Sequence, residues 1–166
     1  HVTEAVGGEP LTVFDGVCAT AAEPFHMEAL GADVYLTGSQ KALGLPPGLA
    51  VAVFSKRAID RRARVDAPPL YLDVESWRPI MEAYLERRPS YFGTPAVNLV
   101  CALDVSLGQI LDEGLEAREA RHRMLGSATR AALHALGLGM VPTGEAHAAN
   151  TLSAPRFPAG VTAPDL

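Results

Sequence analysis

Val34-Tyr35-Leu36-Thr37-Gly38-Ser39-Gln40-Lys41-Ala42-Leu43-Gly44-Leu45-Pro46-Pro47-Gly48 decides how this chain is read. An apolar run ends in small and polar residues, a lone lysine follows, and a stiff Pro-Pro-Gly turn leads into a second apolar run, Leu49 to Phe54. The pattern predicts two strands, 34–37 and 49–54, with Lys41 on a tight loop between them. Their nearly continuous apolar character predicts a sheet covered on both faces. No acidic residue stands between Asp33 and Asp60 to pair with Lys41 locally. An amine kept where its ammonium is poorly solvated becomes a nucleophile, which Schiff-base chemistry needs. A solvated loop lysine is the competing reading, and lysine statistics alone favour it.

Upstream, Leu11-Thr12-Val13-Phe14 predicts another strand, closed by Asp15-Gly16. Open α/β sheets bind ligands at the carboxyl ends of their strands, and a carboxylate there is costly without a positive partner. Asp-Gly is also a common turn pair. Asp15 and Lys41 nevertheless close two strand-like runs as though aimed at one crevice. An Asp to keep a pyridine nitrogen protonated and a Lys to form an imine with an aldehyde are the groups that pyridoxal phosphate requires.

The rest of the chain alternates in the same α/β manner. Glu23 to Leu30 predicts a short helix stopped by Gly31, and Ser55 caps a helix running to about Arg64. Arg57, Arg61, Arg62 and Arg64 read as its solvated face. Pro68-Pro69 marks a loop. Asp73 or Ser76 starts a helix carrying Trp77, Ile80, Met81, Tyr84 and Leu85 at helical spacing. Thr94 and Pro95 suit the N-cap and first position of the next, which runs to about Leu111. Asp112 to Leu136 predicts one long helix with a charged face (Glu116, Arg118, Glu119, Arg121, Arg123) and an apolar stripe through Leu125, Ala128, Ala132 and Leu136. Val141 and Thr151 to Ser153 suggest the start of a small sheet.

With 166 residues, 48% of them hydrophobic and 20% charged, the composition is that of a soluble globular domain. A net charge of −5 argues against a nucleic-acid face, and no apolar run approaches the ~20 residues of a membrane span. Two cysteines, Cys18 and Cys101, make no disulfide framework; they read as small buried apolar residues and suggest a reducing, cytoplasmic setting. His26, His122, His134 and His147 lack metal-ligand spacing, so no metal is expected. The chain has no initiator Met and ends at Ala163-Pro164-Asp165-Leu166 without a closing element, so a piece of a longer protein is expected.

Asp15-Gly16-Val17-Cys18, Gly31 to Leu43, Pro46-Pro47-Gly48-Leu49-Ala50, Tyr71-Leu72-Asp73 and Tyr91-Phe92-Gly93-Thr94-Pro95 resemble class V aminotransferases, nearest the alanine–glyoxylate and serine–pyruvate group. The likeness covers essentially the whole chain and is strongest around Lys41. It implies an α/β, fold-type I pyridoxal-phosphate transferase: a mostly parallel central sheet with helices on both faces, then a smaller α+β domain. Residues 1–113 would belong to the large cofactor-binding domain and 114–166 to the start of the small one. Lys41 would be the Schiff-base lysine, Asp15 the partner of the pyridine nitrogen, Val17 a packing surface for the ring, and Gln40 a hydrogen-bond partner near the cofactor phosphate. Tyr91 and Thr94 would reach the phosphate of a partner subunit in a homodimer with shared active sites. The implied reaction passes an amino group between a small amino acid, alanine or serine, and a 2-oxo acid, glyoxylate or pyruvate. The family's upstream phosphate loop and stacking aromatic are absent from the sequence, and the arginine that grips the substrate carboxylate would lie beyond Leu166. Neither Arg121 nor Arg156 sits in its context. Related readings are an aminoethylphosphonate transaminase or a cysteine desulfurase, although Gln40 stands where a desulfurase usually has histidine. A non-catalytic α/β scaffold is the reading from a different class.

Overall fold

The structure is a computed structural model that describes residues 10–66 and 70–161. Pro68-Pro69 and the Ala163–Leu166 end, both used above, lie outside the described residues. Three strands, β1 (Val13–Asp15), β2 (Val34–Gly38) and β3 (Ala50–Phe54), form a sheet in that order. The sheet is mixed: β1 runs parallel to β2, with Asp15 opposite Leu36, and β3 runs antiparallel to β2, with Gly38 opposite Ala50. Lys41 therefore lies on the connection of a wide hairpin. The sheet is covered less than its apolar runs suggest, since Val13 of β1 and Val53 and Phe54 of β3 are exposed.

Among the described residues four α-helices follow: α1 (Lys56–Arg62), α2 (Val74–Leu85), α3 (Val97–Glu113) and α4 (Leu115–Ala135). Ser55 and Asp73 cap α1 and α2 by accepting from Ala58 N and Glu75 N, as their residue types predict. Four expectations fail for identifiable reasons. Residues 23–30 form turns rather than a helix; Pro24 has no amide to give, and the Glu23 carboxylate is taken by Asn150. The third helix starts at Val97 with Ala96 at its cap, and the Thr94 hydroxyl pairs instead with the Tyr91 hydroxyl at 3.0 Å. The break before the last helix falls at Gly114, whose φ of +84° a side chain would resist, not at Asp112. The small sheet is a single antiparallel bridge between Met140 and Pro155.

The arginines of α1 are not simply solvated. Arg57 pairs with buried Asp33 and Arg62 with Asp73. The buried residues of α4 are Gly126 and Arg130, while Leu125 and Leu136 are exposed. That face meets backbone rather than apolar side chains: a Cβ on Gly126 would come within 2.7 Å of the Asn150 carbonyl oxygen. Arg130 donates to Glu145 and to the Ala149 carbonyl, so a hydrogen-bonding face replaces the expected apolar one. Cys18 and Cys101 are free and exposed.

The lysine loop is anchored from both sides. Ser39 is fully buried; its hydroxyl donates to Pro46 O at 2.7 Å and accepts from Leu49 N at 3.1 Å, closing the loop at its base. Leu43 and Leu45 enter a core cluster with Ile110 of α3, and Ser106 donates to the Leu43 carbonyl. Burial of two leucines is worth roughly 1.5–3 kcal/mol each, enough to hold a loop that a glycine- and proline-rich sequence would otherwise leave free.

Candidate active site

The strand ends set out the site. Asp15 is the last residue of β1 and exposed; its Oδ1 accepts from Val17 N at 2.9 Å, which folds the chain back and brings Val17 over the strand end. Among the described residues the other carboxylate oxygen meets no donor. Gly16 must be glycine because the Tyr35 ring occupies the place of a side chain, with a Cβ there falling 2.0 Å from the ring. Tyr35 in turn bonds the Thr20 hydroxyl at 2.9 Å and stacks against Phe25, so β2 holds the loop that follows β1.

Five residues beyond Leu36, the partner of Asp15 in the register, comes Lys41. It is exposed rather than withdrawn from water, and its amine has no partner among the described residues. Lys41 lines a cavity of about 510 Å³ together with Cys18, His122, Gly126, Asn150 and Thr151. The walls thus come from the loop after β1, from α4 and from the segment near residue 150. Thr151 donates to the Cys18 carbonyl, and Asn150 grips Glu23 through its main-chain and side-chain amides, closing this wall onto the first loop. The Gln40 side chain turns back over Gly38. Tyr91 and Thr94 are exposed, lie beside each other and do not line the Lys41 cavity.

Sequence reasoning missed the roles of three side chains, one lining this wall and two standing behind it. His122 is half-buried on α4, and its Nδ1 donates to the Arg118 carbonyl. Arg118, placed on a charged face by its spacing, is largely buried and donates to the Ala21 and Ala42 carbonyls. Glu113, at the end of α3, receives Arg118 and Arg121; the Arg121 hydrogen bonds, opposed by partial desolvation and aided by Arg118, hold its carboxyl down at about 2. A run of Arg and Glu at i, i+3 and i+5 looks like surface in a sequence, and only the loops it meets show otherwise. Arg121 is committed to Glu113, and Arg156 donates to the Met140 carbonyl. No cluster of His, Cys, Asp and Glu suited to a metal occurs among the described residues.

Residues 5–157 match the model of the aminotransferase class-V family. The chain belongs to that family. It is 39% identical over 121 residues to alanine–glyoxylate aminotransferase 1 of Saccharomyces cerevisiae, covering 69% of this chain and 31% of the relative. Against serine–glyoxylate aminotransferase of Arabidopsis thaliana it is 37% identical over 149 residues, 89% of this chain and 36% of the relative. The crystal structure of alanine–glyoxylate aminotransferase from Nostoc sp. superposes with a TM-score of 0.82 at 28% identity, over 96% of this chain and 41% of that one. The chain therefore spans under half the length of these class-V relatives. Its fold is that of the fold-type I aminotransferases, seen in part: a mixed sheet with helices. The family uses pyridoxal phosphate. The groups here fit that cofactor: among the described residues Asp15 keeps a carboxylate oxygen without a donor, suited to the ring N–H, and Lys41 an amine without a partner, suited to the aldehyde, at and just beyond the ends of adjacent strands.

Proposed function

We propose that this chain carries the cofactor-binding portion of a pyridoxal-phosphate aminotransferase that passes an amino group from a small amino acid, alanine or serine, to glyoxylate or pyruvate. The observation that carries the reading is that, among the described residues, one carboxylate oxygen of Asp15 meets no donor and the Lys41 amine has no partner, at and just beyond the carboxyl ends of two parallel-paired strands. Pyridoxal phosphate, when bound, supplies an aldehyde and an electron-accepting ring. Asp15 accepts the hydrogen bond of the ring nitrogen and keeps it protonated. Val17 covers one face of the ring, and Gln40 donates near the phosphate. Lys41 would hold the aldehyde carbon through Nζ, and, once displaced by a substrate amine, the same Nζ would take the substrate α-proton and return it to the former aldehyde carbon on the far side of the shared nitrogen. The glyoxylate in the names of the yeast, Arabidopsis and Nostoc relatives supports a small 2-oxo acid as acceptor.

Tyr91 and Thr94, exposed and mutually bonded outside the cavity, act across a homodimer interface on the partner's phosphate, as hydroxyl donors beside a helix start suit an anion. The break at Gly114 supports a boundary between the large domain, 1–113, and a smaller one, 114–166. No described helix is long and apolar enough to cross a membrane, and the free Cys18 and Cys101 fit a reducing, cytoplasmic setting.

The test is a visible spectrum of the full chain with added pyridoxal phosphate, before and after borohydride, followed by peptide mapping. A bleached band with the label on Lys41 is expected. No band, or a label elsewhere with Lys41 untouched, would leave the scaffold reading in its place.

A further inference from the structure

We infer that Arg118 is a positioning residue for Lys41, tying the lysine loop and the loop after Asp15 to the start of α4; this rests on the cofactor reading above. Its guanidinium serves three acceptors in three directions. Nε donates to the Ala21 carbonyl at 3.0 Å, Nη2 to the Ala42 carbonyl at 2.5 Å, and Nη1 to Glu113 Oε2 at 3.0 Å. Ala42 is the residue next to Lys41. Ala21 belongs to the loop that leaves Asp15, and it holds a φ of +60°, which a residue with a Cβ adopts only when its surroundings impose it. One planar cation thus fixes a carbonyl on each of the two loops that carry the cofactor's nitrogen partner and its amine.

The arrangement also couples those loops to the cavity wall. Arg118 sits in the first turn of α4, and His122, one turn on, donates to its carbonyl and lines the Lys41 cavity with Gly126. Glu113 holds Arg118 from the other side of the Gly114 break. A displacement of α4 at that break would therefore draw on the Ala42 carbonyl and shift the backbone from which Lys41 springs. A lysine at position 118 is a point donor and does not span all three acceptors, whereas the fork geometry of arginine does.

The experiment compares the full chain with Arg118→Ala, Arg118→Lys and, as a control touching only the lysine loop, Ser106→Ala. Hydrogen–deuterium exchange of the cofactor-free proteins is read on peptides covering 17–24 and 39–48. Exchange in both segments rises about tenfold in Arg118→Ala, the size of one lost hydrogen bond to a charged group, and in Ser106→Ala it rises in 39–48 alone. The rate of borohydride-stable labelling of Lys41 by pyridoxal phosphate falls about tenfold in Arg118→Ala; guanidinium chloride at tens of millimolar restores it, and ammonium chloride does not. If Arg118→Ala fails to fold, Arg118→Lys, checked by an unchanged urea midpoint, answers the same questions. Wild-type labelling rates together with unchanged exchange in both loops would overturn the inference. If the unaltered chain takes no label on Lys41, the cofactor reading has failed, and the paired exchange response alone decides whether Arg118 couples the loops.

Discussion

Two aspartates stand at opposite ends of the same small sheet. Asp33, just before β2, is buried and fully served: Thr12 donates from its amide at 2.9 Å and its hydroxyl at 3.1 Å, Ser55 from its hydroxyl at 2.9 Å, and Arg57 Nε at 2.8 Å with Nη2 beside it. The Arg57 guanidinium, opposed by desolvation and helped by Thr12 and Ser55, holds the Asp33 carboxyl well below the usual carboxylate range. Asp15, at the carboxyl end of β1, is exposed and receives one amide. The chain spends its donors on the first carboxylate and leaves an oxygen of the second open. A carboxylate saturated from within its own chain holds structure together; one left open at a strand end is available to a ligand.

That contrast can be broken by exchanging what each end is asked to do. Lys41→Ala, beside the open aspartate, is expected to reduce transamination to background while the unfolding midpoint stays put, read by steady-state kinetics and urea denaturation. Asp15→Asn is expected to cut kcat/KM by about a hundredfold, on the order of 3 kcal/mol at tenfold per 1.4 kcal/mol, and to change stability by no more than about 0.5 kcal/mol, as exposed substitutions do. A large loss of stability there would erase the distinction. Asp33→Asn reverses the pattern: removing one partner of a buried pair costs on the order of 2–3 kcal/mol, the lower end because Arg57 is 44% exposed, without abolishing the Lys41 label.

The same residue fixes a pH dependence. The folded Asp33 carboxyl lies below its unfolded value of about 3.9, so its stabilisation is complete above that value and is lost as pH falls through the folded one. The melting temperature of the unaltered chain should fall on going below about pH 4, and that of Asp33→Asn should fall less over the same interval. Smallest of all, Ser55→Ala removes both a donor to Asp33 and the cap of α1, for about 1 kcal/mol in urea denaturation. A null effect would mean that Thr12 and Arg57 alone suffice.

The two ends also differ in how far they were legible beforehand. Asp15 and Lys41 follow apolar runs local to the chain, so both strand ends can be read from residue order, whereas Val17 and Gln40 are named only through the family resemblance. The strand pairing could not: apolar runs say that strands exist, whereas the antiparallel return of β3 depends on Ser39 clasping Leu49 across the loop. Arg57 and Arg118 were misread for one physical reason. Long cationic side chains reach carbonyls and carboxylates 24 to 97 residues away in sequence, and helical spacing carries no record of such partners. Glu23 was lost to the same effect, engaged by Asn150 from the far end of the chain rather than by a helix of its own.

The clasp at Ser39 has a kinetic meaning. With the loop base closed and Leu43 and Leu45 set in the core, the backbone beneath Lys41 stays put and only its four-carbon stem moves. On the proposed reading of Lys41, an amine set free by an incoming substrate would remain tethered within its own reach. Its return is an intramolecular event, with an effective concentration set by a few side-chain rotamers rather than by the excursions of a mobile loop.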